Sequence, residues 1–467
     1  MQSKIIKHNL SAILSIVSNL LTLVSGLVMG FILPRFVSVE TYAAYRTYIL
    51  YAGYLGLFHF GFINGIYLKY GKYDYKDLPV KRFSLYTRVL SVSQLLVTVI
   101  PVIVLSLCRK EFFLTPVFFV VLNIFFVNVN CYFALINQFT RRISLDAVIQ
   151  LIQTALQTIG FALLLVFKSD DYVKYLLVLT LVNFSVLLIH CFKSKEIIFN
   201  VSEAFDGSFL GEARDLISHG ILILLSEYMG LIIIGIDSIV VNLFMSAKDF
   251  SVYSFTVSVV TVFFALVGII SKLIFPYLKR AQNDEYPNLY RKMKLYIAIF
   301  AAAVCGMAIV VNMLIPLLLP KYTDCIPLLK MLGVTAVLKG LQELLCGNFF
   351  KALNYDKGYF KTNILAFGFG LASDIAAYLL FKSMMTIAIA SVISFLVWYT
   401  ACDLILKKKM KMRAFELRDL LIPGIIMLYY VSVSCPPVLG FVSYYIVLVI
   451  AVIIIYRSTN MSQIFRT

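Results

Sequence analysis

The sequence predicts an all-α integral membrane fold of about fourteen transmembrane helices, built as two related halves. Three observations point to it. Of 467 residues, 61% are hydrophobic and only 14% charged, whereas roughly a quarter of the residues of a soluble domain are charged. The apolar residues gather into fourteen runs of about 17 to 25 residues, the length a helix needs to cross about 30 Å of hydrocarbon. One junction also recurs: Ser38-Val39-Glu40-Thr41-Tyr42-Ala43-Ala44-Tyr45 returns 208 positions later as Ser246-Ala247-Lys248-Asp249-Phe250-Ser251-Val252-Tyr253. The register extends beyond the junction, with residues 13–18 falling on 221–226 and Phe36 on Phe244. A long fixed offset between hydrophobic segments is a mark of membrane transporters built from repeats.

Taken in order, the expected spans lie near 9–33, 41–68, 85–108, 112–138, 143–167, 172–192, 216–243, 250–276, 293–316, 326–350, 359–381, 385–406, 418–434 and 438–456. The first run is too long for a cleaved signal and ends at Pro34-Arg35 rather than at small residues, so it reads as a permanent span. Pro423, Pro436 and Pro437 interrupt the last two. Orientation follows from the cations, which are retained on the cytoplasmic side. Alternate loops and the termini hold 29 Lys and Arg, the opposite loops nine, and the spans three. Both termini are therefore expected in the cytoplasm, and the bias accounts for the net charge of +17 without a nucleic-acid partner. The longest polar interruption, Lys193 to Arg214, sets the expected division: an N-terminal lobe at 1–195, a cytoplasmic linker at 196–212, a C-terminal lobe at 213–410, and the last two spans and tail at 411–467. The opposite loops are too short for a catalytic domain. The eight cysteines are scattered without C-x-x-C spacing, so neither a disulfide frame nor a metal site is expected, and no motif calls for a cofactor.

Several spans carry polar residues at helical spacing. Span 1 has Ser11, Ser15, Ser18, Thr22 and Ser25; span 4 has Asn123, Asn130 and Asn137; span 5 has Asp146, Gln150, Gln153 and Gln157. Hydroxyls favour plain close packing of helices. The amides cost more to bury, so Asn123, Asn130, Gln150 and Gln153 are expected to line a wet cavity. Span 2 offers Arg46, Gly53 and Asn64 on one face, matched in span 8 by Ser254, Thr261 and Lys272. The end residues of each set are five turns, about 27 Å, apart. Arg46, Lys272, Lys339 and Asn64 are thus the candidates for a cationic substrate-binding path. Snorkelling to the headgroups competes for Arg46 and Lys272, and an ion pair with Glu343 one turn on competes for Lys339. Glu227 and Asp237 in span 7 are candidates for cation or proton coupling, or structural partners of the cations; Asp374 and Asp403 are the other intramembrane acids. His59, His190 and His219 share no ligand spacing and read as packing or interfacial residues.

The run Ile32-Leu33-Pro34-Arg35-Phe36, then Ser38 to Tyr45 and Gly61, resembles the opening signature of the Wzx-type polysaccharide flippases of the multidrug/oligosaccharidyl-lipid/polysaccharide exporter superfamily. Asp237 followed by Tyr253, and Pro320-Lys321-Tyr322, are similar to that family's later junctions. The resemblance covers roughly residues 5–405, as pattern more than identity. It implies a V-shaped bundle of two pseudo-symmetric six-helix lobes with two C-terminal helices, carrying an undecaprenyl-diphosphate-linked oligosaccharide across a bacterial inner membrane by alternating access. A diphosphate needs cations in a wet groove, which Arg46, Lys272 and Lys339 could supply. Membrane lipids, a proton or sodium ion, a polysaccharide polymerase and a chain-length regulator are the partners it allows. The chain departs from the family pattern at His59, where an acid is common, at Ala44 in place of glycine, and at Ser238 in place of a basic residue. A lipid II flippase and a cation-coupled multidrug exporter share the expected fold. A membrane polysaccharide polymerase is the alternative of another class, disfavoured because its large outer loop is missing, and the chain reads as a non-enzyme.

Overall fold

An apolar chain away from water must satisfy its own backbone, and the helix does so locally. The computed structural model describes residues 2–108, 112–201, 203–279, 281–282 and 284–459. Within its helices, the side chains of 2–13, 15, 16, 27, 266–273, 275–277 and 454–459 lie outside the described residues, and these include Ser11, Ser15 and Lys272. No strand occurs among the described residues. The helices are α1 (Gln2–Phe36), α2 (Val39–Ala52), α3 (Phe62–Tyr70), α4 (Val80–Cys108), α5 (Pro116–Phe139), α6 (Ile143–Val166), α7 (Tyr172–Lys193), α8 (Lys195–Phe199) and α9 (Gly207–Phe244). They continue as α10 (Ala247–Leu278), α11 (Tyr286–Leu318), α12 (Cys325–Leu332), α13 (Thr335–Gly340), α14 (Asn348–Ala352), α15 (Asp356–Phe381), α16 (Met384–Lys409), α17 (Leu421–Ser434) and α18 (Pro437–Thr459).

All fourteen expected runs are helical, and the protein is a multi-pass membrane protein. Among the described residues eleven helices are long and apolar enough to cross a bilayer, or twelve if Val39–His59 and Phe62–Tyr70, bent by 59°, count as one span. The count of fourteen is not reached, because Pro437–Ile453 qualifies only as a shorter apolar helix and α10 runs over side chains outside the described residues. The repeated junction has the same local chemistry in both copies. Ser38 caps α2 by accepting from the Thr41 N–H at 3.1 Å, and Ser246 Oγ accepts from the Asp249 N–H at 3.1 Å at the start of α10, each satisfying a donor that a helix start leaves open.

The chain forms two compact units, Met1–Leu231 and Ile232–Thr467. The boundary between these units falls inside α9, so about the first seven turns of α9 belong with the N-terminal helices. In the first unit α1 and α6 meet through hydroxyl and amide rungs: Ser18 to Gln150 at 3.2 Å, Thr22 to Thr154 at 2.8 Å, Ser25 to Thr158 at 2.6 Å. The serine stripe of span 1 is therefore a packing seam. Phe62, Ile66, Tyr86, Tyr132, Phe133 and Leu216 form an aromatic core among α3, α4, α5 and α9.

In the second unit α11 is tied to α17 and α18. Tyr444 and Tyr445 donate to the carbonyls of Ala302 and Ala303 at 2.7 and 2.8 Å, beside Gly306, where any Cβ would meet the Tyr444 ring at 2.6 Å. At the other end of α11, Lys294 bridges Asp403 (2.8 Å) and Asp419 (2.6 Å), Lys407 contacts both acids (2.9 and 2.6 Å), and Arg291 grips Glu416 at 2.7 Å. Asp403 is thus a structural partner of cations. Burial of so many charges is tolerable because each is paired and hydrogen-bonded.

Candidate functional site

Span 2 is not one straight helix. After α2 the chain enters a 3-10 turn at Leu55–His59, and Phe60 (φ 53°) and Gly61 (φ 83°) take left-handed conformations before α3. The break frees carbonyls that neighbouring amides take up: Gln94 donates to Phe58 O at 3.0 Å, while Asn128 donates to Leu55 O at 3.1 Å and to Gln94 Oε1 at 2.9 Å. His59 Nδ1 accepts from the Gly61 N–H at 3.2 Å. The 59° bend removes the common face expected for Arg46 and Asn64, since five-turn spacing holds only along an unbroken axis.

α9 lies along this broken span. A Cβ on Gly220 would come within 1.9 Å of Gly61 O and 2.5 Å of Gly65 N, and one on Gly65 within 2.1 Å of Leu216 O. Only glycine permits that approach, and at Gly61 only glycine takes the backbone angle without strain. Tyr228 seats its hydroxyl over Gly56, and Tyr54 OH reaches Leu231 O at 3.5 Å. On this seam Asn64 hydrogen-bonds the exposed Glu227 carboxylate. These two residues, assigned to substrate and to coupling respectively, are therefore in direct contact.

Arg46, half-buried in α2, has no ion pair among the described residues, and its Nε is buried without a hydrogen-bond partner. The amide set takes part in interhelical hydrogen bonds. Asn123 is fully buried, donating to Thr180 at 2.8 Å and accepting from Asn183 at 2.9 Å; Asn130 donates to Asn183 O at 2.9 Å. Gln153 reaches Asn183 Oδ1 at 3.4 Å and Gln150 Nε2 reaches Asn19 at 3.4 Å. Asn123 lies inside the packing of α5 against α7, its amide held by Thr180 and Asn183. Asn130, Gln150 and Gln153 are half-buried members of interhelical bonds.

In the second unit, span 10 is built from α12, α13, a π-helical stretch at Leu341–Gly347 and α14, not the regular helix expected. Such stretches recur at functional sites. Lys339 precedes it, pairs with Glu343 at 3.2 Å, lies 5.4 Å from the Trp398 ring centroid, and keeps only 10% of its side chain exposed. The competing ion pair is therefore present, and Glu343 is the more open partner at 35%. Asp237 is buried, accepting from Tyr253 OH at 2.8 Å and Ser391 Oγ at 3.1 Å. Asp374 is 2% exposed, and its Oδ1 has no hydrogen-bond partner among the described residues. Asp374 could have been ranked higher from sequence, as an acid mid-way along an apolar run; Gln94, Asn128 and Tyr228 carried no such signal, because their role depends on the break in span 2. The Lys272 side chain lies outside the described residues. Among the described residues no group of three or more His, Cys, Asp or Glu could hold a metal.

Compared over its full length, the chain superposes on a solved structure titled "Lipid II flippase MurJ, inward closed conformation" with a TM-score of 0.69, at 14% identity, covering 96% of this chain and 99% of that one. The chain has the MurJ fold. A MATE structure in complex with Br-NRF and a MATE transporter of Vibrio cholerae also match, each with a TM-score of 0.48, at 13% and 12% identity, over 87% and 86% of this chain and 94% and 98% of theirs. No protein-family model matches the sequence, and no curated protein does. At 14% identity the likeness to the flippase structure is one of fold.

Proposed function

We propose that the chain is a flippase that moves an undecaprenyl-diphosphate-linked oligosaccharide from the cytoplasmic to the outer leaflet of a bacterial inner membrane by alternating access, for surface polysaccharide assembly. The observation that carries this reading is the MurJ fold over 96% of the chain, joined to an intramembrane arginine with no ion pair among the described residues. A lone guanidinium among apolar helices costs at least about 2.5 kcal/mol, and a diphosphate is the ligand chemistry that offsets such a cost. Arg46, Lys272, Lys339 and Asn64 are the cargo contacts in this reading, with the lobes 1–195 and 213–410 alternating about the linker and both termini cytoplasmic. Asp237 with Asp374, and Glu227 with Asn64, are the points at which a proton or sodium ion would couple. A polymerase and a chain-length regulator would act on the flipped product.

Deletion of the gene tests the reading. Surface glycan should disappear while the lipid-linked repeat unit accumulates on the cytoplasmic leaflet, with recovery on re-expression. Unchanged glycan would refute it. The solved neighbour is a lipid II flippase, so transport of lipid II is the second reading: it is supported if the chain restores growth to cells depleted of their own lipid II flippase, and the oligosaccharide reading predicts no growth. A multidrug exporter of organic cations would want unopposed acids, which Arg46 and Lys339 disfavour.

A further inference from the structure

A cavity of about 710 Å³ lies among α3, the start of α4 and the start of α9, lined in part by Lys69, Arg82, Glu212, Asp215 and His219. At its wall three donors converge on one carboxylate, that of Glu212. Lys69 Nζ and Tyr86 OH both reach Oε1 of Glu212, and the Arg82 guanidinium reaches Oε2. Glu212 and Arg82 are largely covered, at 13% and 14% side-chain exposure, while Lys69 is open at 47%. Two of the donors have further partners. Arg82 contacts Glu203 at 2.9 Å and lies over the Phe209 ring at 5.2 Å; Tyr86 OH is 3.2 Å from Tyr70 OH, and its ring packs edge-on against Phe62 and Phe83. All three donors sit on α3 and α4, whereas the carboxylate they hold belongs to α9.

A forked guanidinium, an ammonium and a phenol aimed at one point suit a phosphate group, which offers more acceptor oxygens than a carboxylate does. We propose that Lys69, Arg82 and Tyr86 form an oxyanion site for a phosphate-bearing headgroup, and that Glu212 occupies it as an internal stand-in. The proposal rests on the flippase reading for its cargo: a diphosphate arriving at this end of the bundle exchanges with Glu212 and frees the first turns of α9 from α3. Glu212, Leu216 and Gly220 lie one turn apart on α9, opposite Lys69, Gly65 and Gly61, so release of the carboxylate loosens the glycine seam from its end.

The test is calorimetric titration of inorganic pyrophosphate and farnesyl diphosphate into the purified full-length chain in phosphatidylcholine nanodiscs. Glu212→Gln removes the competing charge and should tighten both ligands by about tenfold, as expected when an occupied site is vacated. Arg82→Gln or Tyr86→Phe added to Glu212→Gln should abolish the gain, and Lys69→Gln alone should weaken binding by the wild-type chain. The charge swap Arg82→Glu with Glu212→Arg keeps a salt bridge and should bind neither ligand. Equal binding by wild type and Glu212→Gln, or binding by the swap, would overturn the site. If phosphatidylglycerol in the nanodisc erases the gain for farnesyl diphosphate, the site serves bulk lipid phosphates and the cargo assignment fails. Binding is read without transport, so tightened binding in a chain that moves no lipid-linked glycan refutes the flippase reading and keeps the site.

Discussion

Arg46 and Lys339, each a cation in an apolar run, sit in opposite electrostatic settings. Lys339 has Glu343 and Trp398; among the described residues Arg46 has no ion pair, and its buried Nε has no hydrogen-bond partner. Arg46→Ala is therefore expected to cut surface glycan to about a tenth or less, the loss of one charged hydrogen bond of roughly 1.5–3 kcal/mol, with membrane abundance unchanged on immunoblots. Arg46→Lys should recover part of it. Glycan display at the unmodified level in Arg46→Ala would remove this residue from the cargo path. Glu416 gives a pH test outside the spans. Its bidentate bond with Arg291 holds the carboxyl below the usual glutamate range. A depressed pKa adds stability above the unfolded-state value, and that stability is lost as pH falls through the folded-state value. Glu416→Gln should cost about 1 kcal/mol or less at neutral pH, given the partial exposure of the pair. The gap in detergent melting temperature should hold down to the usual glutamate range and close below it; a gap unchanged at low pH would mean that the pair does not act through charge. Sequence showed which residues were charged, while partnership depended on contacts such as Lys294 with Asp403, 109 positions apart, which no local pattern encodes.

At the scale of elements, helical runs were legible because hydrophobic length and helix geometry are bound together in a bilayer. Breaks were not. Span 2 reads as continuous since its apolar run never stops, and the structure interrupts it because Gln94 and Asn128, on other helices, accept the cost of its freed carbonyls. Gly61 and Gly220 were visible as residues, but their pairing across 159 positions was not. That pairing separates two glycines of the same helix. Gly220→Ala would set a Cβ 1.9 Å from a backbone oxygen, so α9 must shift, at about 1–3 kcal/mol for an overpacked site. Gly230 has no heavy atom within 4 Å of the same added carbon, so Gly230→Ala should stabilise by up to about 1 kcal/mol through helix propensity alone. Melting temperatures should move in opposite directions, down for Gly220→Ala and up for Gly230→Ala. A drop of equal size in both would mean that backbone freedom, and not the seam, governs this helix.

For the molecule as a whole, the repeat and the cation bias are long-range statements that one sequence can carry, because both are averages over many residues. The Ser38 and Ser246 caps show the repeat surviving at atomic detail, whereas the cargo path depends on a handful of side chains whose setting no average records. Orientation in the membrane is the remaining global claim, and it can be tested independently of any cargo. Lys72 and Lys248 are both exposed, at span ends of opposite charge bias, and Cys108 is the exposed native thiol among the described cysteines. On a Cys108→Ser background, Lys248→Cys should react with a membrane-impermeant maleimide on intact spheroplasts. Lys72→Cys should react only after permeabilisation, because Lys and Arg near span ends are retained in the cytoplasm. The reverse pattern would invert the chain, and with it the leaflet at which the Lys69, Arg82 and Tyr86 site meets its headgroup. In that case those residues would receive the cargo's diphosphate after crossing rather than before, and Glu212 would act in its discharge.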